Sequence, residues 1–345
     1  MAIVDEYETL RERAEKVPLI TQKARTIDVR ALDEVRTDEV RCAMGEFLVE
    51  EGRGDLIKEG DPCTVDWEAV EALPDDEVDE FGAKFHRLLG RYQREHPALI
   101  SVELSPLEEE VAFVPGQFIS VKFGGTPRAY SVASSPNHDL LRFCIRRVPD
   151  GRLTPRLCDG LDPGENLTIR GPNGDFVLAE PSQRDVAFLA TGTGAAPFRS
   201  MIDYIFEEGR DHYEGKQRDI WFFLGASWRD DLPFHEHFKA LNEEHENFHY
   251  VPTCSREHYL TDWEGESAYV QQTFLKYMES DIDTVALGDM AAFLDEDTLT
   301  DTRARMDPTN LQVYSCGLNQ MVNTVEETAR KVGVDSEYID VEGYG

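Results

Sequence analysis

Lysine is scarce in this 345-residue chain: only nine of its 35 basic residues are lysines, and 68 acidic residues leave a formal net charge of −33. No concentrated basic patch stands out, which argues against nucleic acid and anionic membrane surfaces as partners, since both demand clustered positive charge. The acid is spread along the chain with no single block, a balance that looks like that of salt-accumulating halophiles, where surface carboxylates keep a protein hydrated. No apolar run approaches membrane-spanning length, and Met1–Lys16 is charged and amphipathic without a signal-peptide core, so a cytoplasmic location is expected. Cysteine motifs are also missing. Cys42, Cys63, Cys144, Cys158, Cys254 and Cys316 show no C-x-x-C pair and read as free thiols, which argues against an iron–sulfur cluster, structural zinc or any other metal site.

What is present is enough apolar residue, 41%, for two domains or three small ones. The first hundred residues read as helices over 5–16, 33–50 and 65–94, with a strand-like patch, "PLITQKARTIDV", between the first two; acid runs such as "LPDDEVDEF" read as solvated helix faces. From Ala98 the period changes to two. "ALISVELSP", "EEVAFVPGQFISVKF", "RAYSVAS", "LLRFCIRRV" and "ENLTIRGPNGDFVL" are short strand-like runs broken by Pro and Gly, the signature of an antiparallel barrel. After a boundary near Pro181, apolar strands "DVAFLA", "DIWFFLG", "NFHYVPT" and "LQVYSCG" alternate with helical stretches over 196–208, 234–244, 269–279 and 318–331, which predicts a parallel α/β sheet. The expected division is therefore 1–97, mainly helical with a first barrel strand at about 18–29; 98–180, the barrel; and 181–345, the α/β domain.

Two stretches carry anion-binding chemistry. In "FLATGTGAAPFRSM" a strand runs into Thr191-Gly192-Thr193-Gly194, and a helix opens near Pro197; small residues bring backbone close to a phosphate, and the helix start offers unpaired N–H groups. The G-x-G-x-x-G spacing is absent, so this is not the standard Rossmann fingerprint. In "TCSREHYLTDWEGESAYVQ", Ser255 and Arg256 follow a strand, where ligands of open α/β sheets gather, and a guanidinium beside a hydroxyl suits a phosphomonoester. Tyr269 and Gln271 are placed to stack on and hydrogen-bond an adenine. "VYSCGLNQM" sets Cys316-Gly317 at a strand-to-helix junction with no flanking ligand or base, which suits packing beside a ring better than metal binding or nucleophilic attack.

Taken in order, "RAYSVASS", "LRFCIRRV", "GRLTPRLCDGLDPGENLTIRGPNGDF", "GTGAAPFRSM", "CSRE", "AYVQ", "VYSCGLNQM" and "VEGY" closely resemble the ferredoxin–NADP reductases over roughly 98–345. The resemblance implies an FAD-binding barrel followed by an NADP-binding α/β domain. It places Arg128 on the flavin pyrophosphate, Tyr130 against the isoalloxazine and Ser131 near flavin N5. Cys144, Arg146 and Arg147 match the next flavin-contacting strand, and Leu153 and Thr154 the phosphate-facing turn. Cys316 would line the hydride-transfer site, Tyr344 would cover the second flavin face and move aside for nicotinamide, and Glu342 would tune the step and link it to solvent protons.

The chain also departs from the family. Gly345 follows the tyrosine; Ser267 replaces a lysine expected near the adenosine phosphate; about 65 residues, 31–96, are either inserted after the first barrel strand or form a separate N-terminal domain; and an acidic segment over 279–310 has no counterpart. The implied activity is hydride transfer between NADP(H) and FAD, with single-electron exchange with ferredoxin or a similar carrier. Arg142, Arg147, Arg152 and Arg156 would supply a docking patch. The alternatives are an oxygenase reductase component, a flavin reductase or NADPH oxidase, and a non-enzymatic flavin or nucleotide sensor.

Overall fold

The computed structural model describes residues 8–74, 79, 81–279, 282 and 284–344. The expected helix start over 5–7, most of "LPDDEVDEF", three positions of the acidic segment and Gly345 lie outside them. The strands are β1 Ile20–Ala31, β2 Leu99–Pro106, β3 Phe118–Lys122, β4 Arg128–Ser131, β5 Leu141–Arg146, β6 Asn166–Asn173, β7 Asp185–Thr191, β8 His212–Tyr213, β9 Lys216–Gln217, β10 Ile220–Ala226, β11 Phe248–Cys254, β12 Leu311–Leu318 and β13 Ile339–Tyr344. The helices are α1 Leu10–Lys16, α2 Thr37–Glu50, α3 Trp67–Glu71, α4 Gly82–Tyr92, α5 Thr154–Gly160, α6 Ala195–Glu207, α7 His235–Glu244, α8 Val270–Lys276 and α9 Asn319–Val332.

Six antiparallel strands form the first sheet in the order β4-β3-β6-β1-β2-β5. The open edges meet just past β4, where the Ala133 N–H donates to the Arg142 carbonyl at 2.7 Å, so the sheet is a near-barrel. Its interior holds alternate residues of the strands, among them Ile100, Val102, Leu104, Ile119, Val121, Phe143 and Ile169. Of the run "EEVAFVPGQFISVKF" only Phe118–Lys122 is strand. Pro115-Gly116 breaks it: Gly116 has φ +103°, and a Cβ there would meet the Phe176 carbonyl oxygen at 2.1 Å.

The second sheet is parallel, in the order β11-β10-β7-β12-β13. β7 is central and almost wholly apolar because both faces are covered: Phe188 and Ala190 face α6 and the barrel, while Ala187 and Leu189 face α8 and α9. α9 buries Val322, Val325, Ala329 and Val332 at helical spacing and ends at Gly333, φ +106°, a left-handed cap. The C-terminal β13 pairs in parallel with β12, with Glu342 opposite Cys316 and Tyr344 opposite Leu318. The barrel joins this sheet through Phe176, whose ring lies 5.9 Å from Phe198 and 6.1 Å from Tyr314, and through the Tyr314 hydroxyl, which accepts from the Ala179 N–H at 2.9 Å.

The helical segment lies between two paired strands, since β1 pairs with β2 from Ala31 opposite Ile100 to Ala24 opposite Pro106. It is not one run of helix. Asp33 precedes α2 by four residues, and its carboxylate accepts from the Ala98 and Leu99 N–H groups; between α3 and α4, Ala72–Pro74 are non-helical. The inserted residues build their own core from Met44, Phe47, Leu48, Leu56, Val70, Phe85 and Leu88, which also takes in Trp228 from the α/β domain. Cys42 and Cys63 correct the reading of six free thiols: they form a disulfide, leaving Cys144, Cys158, Cys254 and Cys316 free. The pair is 21 residues apart and meets only because α2 packs on the 57–65 turn, a proximity that linear spacing does not show.

Where insertion, barrel and α/β domain meet, charge is buried at high density. Asp230, with its side chain wholly buried, accepts from Arg91 at 2.7 Å, Arg94 at 3.1 Å and Arg36 at 3.3 Å. Glu257 takes both ends of the Arg36 guanidinium, at 2.7 and 2.9 Å. Asp231 joins Arg94 at 2.7 Å to Arg146 of β5 at 3.2 Å, so a single carboxylate links all three bodies.

Candidate active site

The carboxyl ends of all five parallel strands open into one cleft of about 610 Å³. Thr191 from β7, Ala226 from β10, Thr253 from β11, Leu318 from β12 and Tyr344 from β13 line it, along with Gly192, Thr193, Ser255, Arg256, Tyr269 and Gln271. It lies at the topological switch point of an open parallel sheet, where ligands of such sheets bind. Most of the residues expected to hold the nucleotide therefore converge. Gly194 and Pro197 are buried behind the rim, and the reason for glycine at 194 is close approach: a Cβ would sit 2.1 Å from the Cys316 carbonyl oxygen. Gly317 is packed against the same loop, where a Cβ would meet the Thr191 Oγ1 at 2.6 Å. Asp231, Ser227, Gln320 and Met321 also line the cleft without having been legible as site residues.

Arg256 donates to the Ser227 Oγ at 2.9 Å, and burial lowers its proton affinity. Ser255 stands beside it, and Tyr269 is exposed at the rim. A guanidinium with two hydroxyls and no carboxylate bonded to it among the described residues is built for an oxyanion.

Tyr344 closes the barrel side of the cleft. Its hydroxyl lies 3.0 Å from Thr193 Oγ1 and 3.2 Å from the Thr191 carbonyl, to which it donates. Burial pushes this phenol up to about 12, with the Thr193 bond opposing. Cys316 and Cys144 are buried close behind it, and desolvation raises both thiols, Cys144 to about 12, so neither is a thiolate at neutral pH. Burial also raises the Glu342 carboxyl, which sits beside Cys316 and holds a proton more readily than an exposed glutamate.

On the barrel, Arg128, Tyr130 and Ser131 lie together on β4. Tyr130 fits a bound ring system on one observation: its hydroxyl is buried with no hydrogen-bond partner, and desolvation pushes it up to about 12. Arg128 is exposed and gives one bond, 3.1 Å, to the Pro127 carbonyl, which leaves its other donors available to a diphosphate. The turn before α5 is closed by Thr154, whose hydroxyl accepts from the Val148 N–H at 2.9 Å, while Leu153 is buried in the barrel core. The remaining pair on the flavin-matching strand has protein partners. Arg146 points into the nucleotide cleft beside Gly192 and pairs with Asp231. Arg147 is committed to Asp159, to Glu95 at 2.8 Å and to the Pro97 carbonyl at 3.0 Å. Arg142 is likewise paired with Glu103, so of the four arginines expected to form a docking patch only Arg152 and Arg156 carry no carboxylate among the described residues.

Comparison with known proteins agrees with this architecture. Residues 95–178 match the oxidoreductase FAD-binding domain and 188–327 the oxidoreductase NAD-binding domain. Ferredoxin–NADP reductase B of Sorangium cellulosum is 30% identical over 239 residues, which cover 67% of this chain and 85% of that protein. The phenol hydroxylase P5 protein of Acinetobacter pittii is 30% identical over 188 residues, 53% of this chain and 51% of that one. Among solved structures, a ferredoxin NADP+ reductase from Neisseria gonorrhoeae with bound FAD and NADP aligns over 72% of this chain and 93% of its own at 21% identity, with a TM-score of 0.54. The chain belongs to the ferredoxin–NADP reductase family and carries its FAD-binding and NAD(P)-binding domains. It spans about half the length of several curated relatives it matches. Among the described residues no helix is long and apolar enough to cross a membrane.

Proposed function

We propose that the protein is an FAD-dependent ferredoxin–NADP reductase, moving a hydride between NADP(H) and FAD N5 and single electrons between FAD and a ferredoxin-like carrier. The observation that carries this reading is the position of Tyr344, whose hydroxyl is bonded to the nucleotide loop at Thr193 while its ring lies near Cys144 of the barrel. FAD, when bound, supplies the ability to exchange a two-electron hydride for single electrons. The chain's own residues do the rest. Residues 98–180 hold the prosthetic group, with Arg128 and the turn ending at Thr154 on the diphosphate, Tyr130 against the ring and Ser131 at its edge. Residues 181–345 hold the nucleotide, with Thr193, Gly194 and the start of α6 near Pro197 at its diphosphate, Ser255 and Arg256 on the adenosine phosphate, and Tyr269 and Gln271 on adenine. Cys316 and Gly317 leave room for nicotinamide, and Glu342, its carboxyl raised by burial, lies beside it as the group that links the site to solvent protons. Tyr344 screens the site until nicotinamide arrives.

With Arg142 and Arg147 already paired, carrier docking rests less on a positive rim than on apolar contact. In molar salt the screening length is about 3 Å, so two acidic proteins approach without long-range repulsion. The oxygenase reductases among the relatives favour a second reading, in which the carrier belongs to an oxygenase system. The test is NADPH oxidation by the FAD-loaded protein, measured anaerobically with a [2Fe–2S] ferredoxin or with free FMN, and in aerated buffer with oxygen as the only acceptor. Turnover that requires the ferredoxin is expected; equal turnover with FMN or oxygen contradicts the proposal.

A further inference from the structure

The inserted segment presents one face of α4 to the two loops that flank Arg256. Lys84, Arg87, Leu88 and Arg91 share that face at i, i+3, i+4 and i+7. The Lys84 ammonium lies 5.9 Å from the Tyr259 ring, Leu88 packs in the cluster that contains Trp228, and Arg91 reaches Asp230 at 2.7 Å. Arg87 is in the middle of this row, whose other members contact Tyr259, Trp228 and Asp230, and its side chain is exposed. The buried charges at the two ends of the insertion, Arg36 on Glu257 and Arg91 and Arg94 on Asp230, fix the helix in this position.

Arg87 has no hydrogen bond or ion pair among the described residues, whereas Arg36, Arg91, Arg94 and Arg146 around it all have carboxylates. Arg256 likewise has only a serine hydroxyl. Burial is the main cause of the lowered proton affinity of Arg256, and the charge of Arg87 is the next, so the two cations feel each other. Asp231, which lines the same cleft and also acts on Arg256, is already bonded to Arg94 and Arg146, so it does not neutralise the mutual repulsion of Arg87 and Arg256, and an anion bound between those two relieves it. A phosphomonoester carries about −1.5 to −2 at pH 7, more than one arginine neutralises. Ser267, where the family pattern has lysine, is exposed and uncharged.

We propose that Arg87, donated by the inserted segment, is the second cation for the 2′-phosphate of NADP(H), completing with Arg256, Ser255 and Ser227 a subsite that sets the preference for NADP over NAD. This rests on the reading of the cleft as the pyridine-nucleotide site. The insertion is then part of the nucleotide specificity of the enzyme, clamped to the α/β domain so that one exposed cation acts on Arg256 at the cleft.

The test measures dissociation constants of adenosine 2′,5′-bisphosphate and 5′-AMP by calorimetry on the FAD-loaded full-length protein, wild type, Arg87→Gln, Arg87→Lys and Arg256→Gln, at one ionic strength. Loss of a charge-assisted pair to phosphate weakens binding about tenfold. Arg87→Gln is expected to weaken the bisphosphate by that factor and leave 5′-AMP unchanged, and Arg87→Lys to restore most of the loss. Unchanged bisphosphate affinity in Arg87→Gln, with a loss in Arg256→Gln, overturns the role of Arg87 and leaves the cleft assignment standing. Equal weakening of both ligands by Arg87→Gln also overturns it, because a structural effect does not read the 2′-phosphate. Wild-type protein that binds both adenylates alike, with neither arginine mattering, overturns the cleft assignment itself.

Discussion

Asp230→Ala lowers the stability of the folded protein by about 3–5 kcal/mol, measured as a fall in the urea or thermal midpoint, because removing one member of a buried charge network strands the others in low dielectric. Asp230 is wholly buried and accepts from three guanidiniums and from the Glu34 N–H. Arg36 retains Glu257, and Arg94 retains Asp231 and Asp33. Arg91 keeps only the Glu34 carbonyl, at 3.2 Å, and is left as a desolvated cation without a carboxylate. The same substitution at Glu327, an exposed partner of Lys331, leaves the midpoint where it was, since a solvated pair contributes little. The contrast matters in a chain so rich in charge: most of its carboxylates are surface groups, while a handful hold three bodies together. A midpoint unchanged by Asp230→Ala would mean that the remaining ion pairs and the apolar contact with Trp228 hold the insertion without Asp230.

Tyr344→Ala strengthens binding of both NADP+ and NAD+ by a similar factor and leaves the ratio between them to the 2′-phosphate contacts. In the present arrangement a nucleotide that reaches the barrel side of the cleft must break the Tyr344 hydroxyl's bonds to Thr193 and to the Thr191 carbonyl and displace the ring. Two such bonds at about 0.5–1.5 kcal/mol each correspond to roughly 5- to 150-fold in the dissociation constant. Removing the ring releases that cost for either dinucleotide, and the nicotinamide end, which carries no 2′-phosphate, then contributes equally to both. Tyr344→Phe, which keeps the ring and loses the bonds, falls between. The check is a pair of dissociation constants for each variant; affinities unchanged in Tyr344→Ala would show that the ring does not occupy the nucleotide path.

The parts of this molecule that sequence exposes are those whose signal is local. Buried on both faces, β7, β10 and β12 are continuous apolar runs, and the helices that follow them carry 3.6-residue periodicity within a residue or two of the observed bounds. The glycine-rich loop and Ser255-Arg256 are legible because each sits directly after such a strand. β13 is harder, since its pattern, "IDVEGY", mixes charge and glycine, and only its edge position beside β12 makes it a strand. The charge network is not legible at all: Arg36 and Glu257 are 221 residues apart, and in a chain with 103 charged residues nothing singles them out. The same holds for the Cys42–Cys63 pair and for Arg146, whose direction out of β5 depends on a carboxylate 85 residues away.

The central claim is that the barrel and the sheet together hold a flavin that pyridine nucleotide reaches through the cleft at the strand ends. Its most direct test is the visible spectrum of the purified protein after incubation with FAD, followed by anaerobic titration with NADPH and separately with NADH. A flavin spectrum that bleaches at lower NADPH than NADH is the predicted result. A protein that stays colourless, or a bound flavin that NADPH leaves oxidised, contradicts the account.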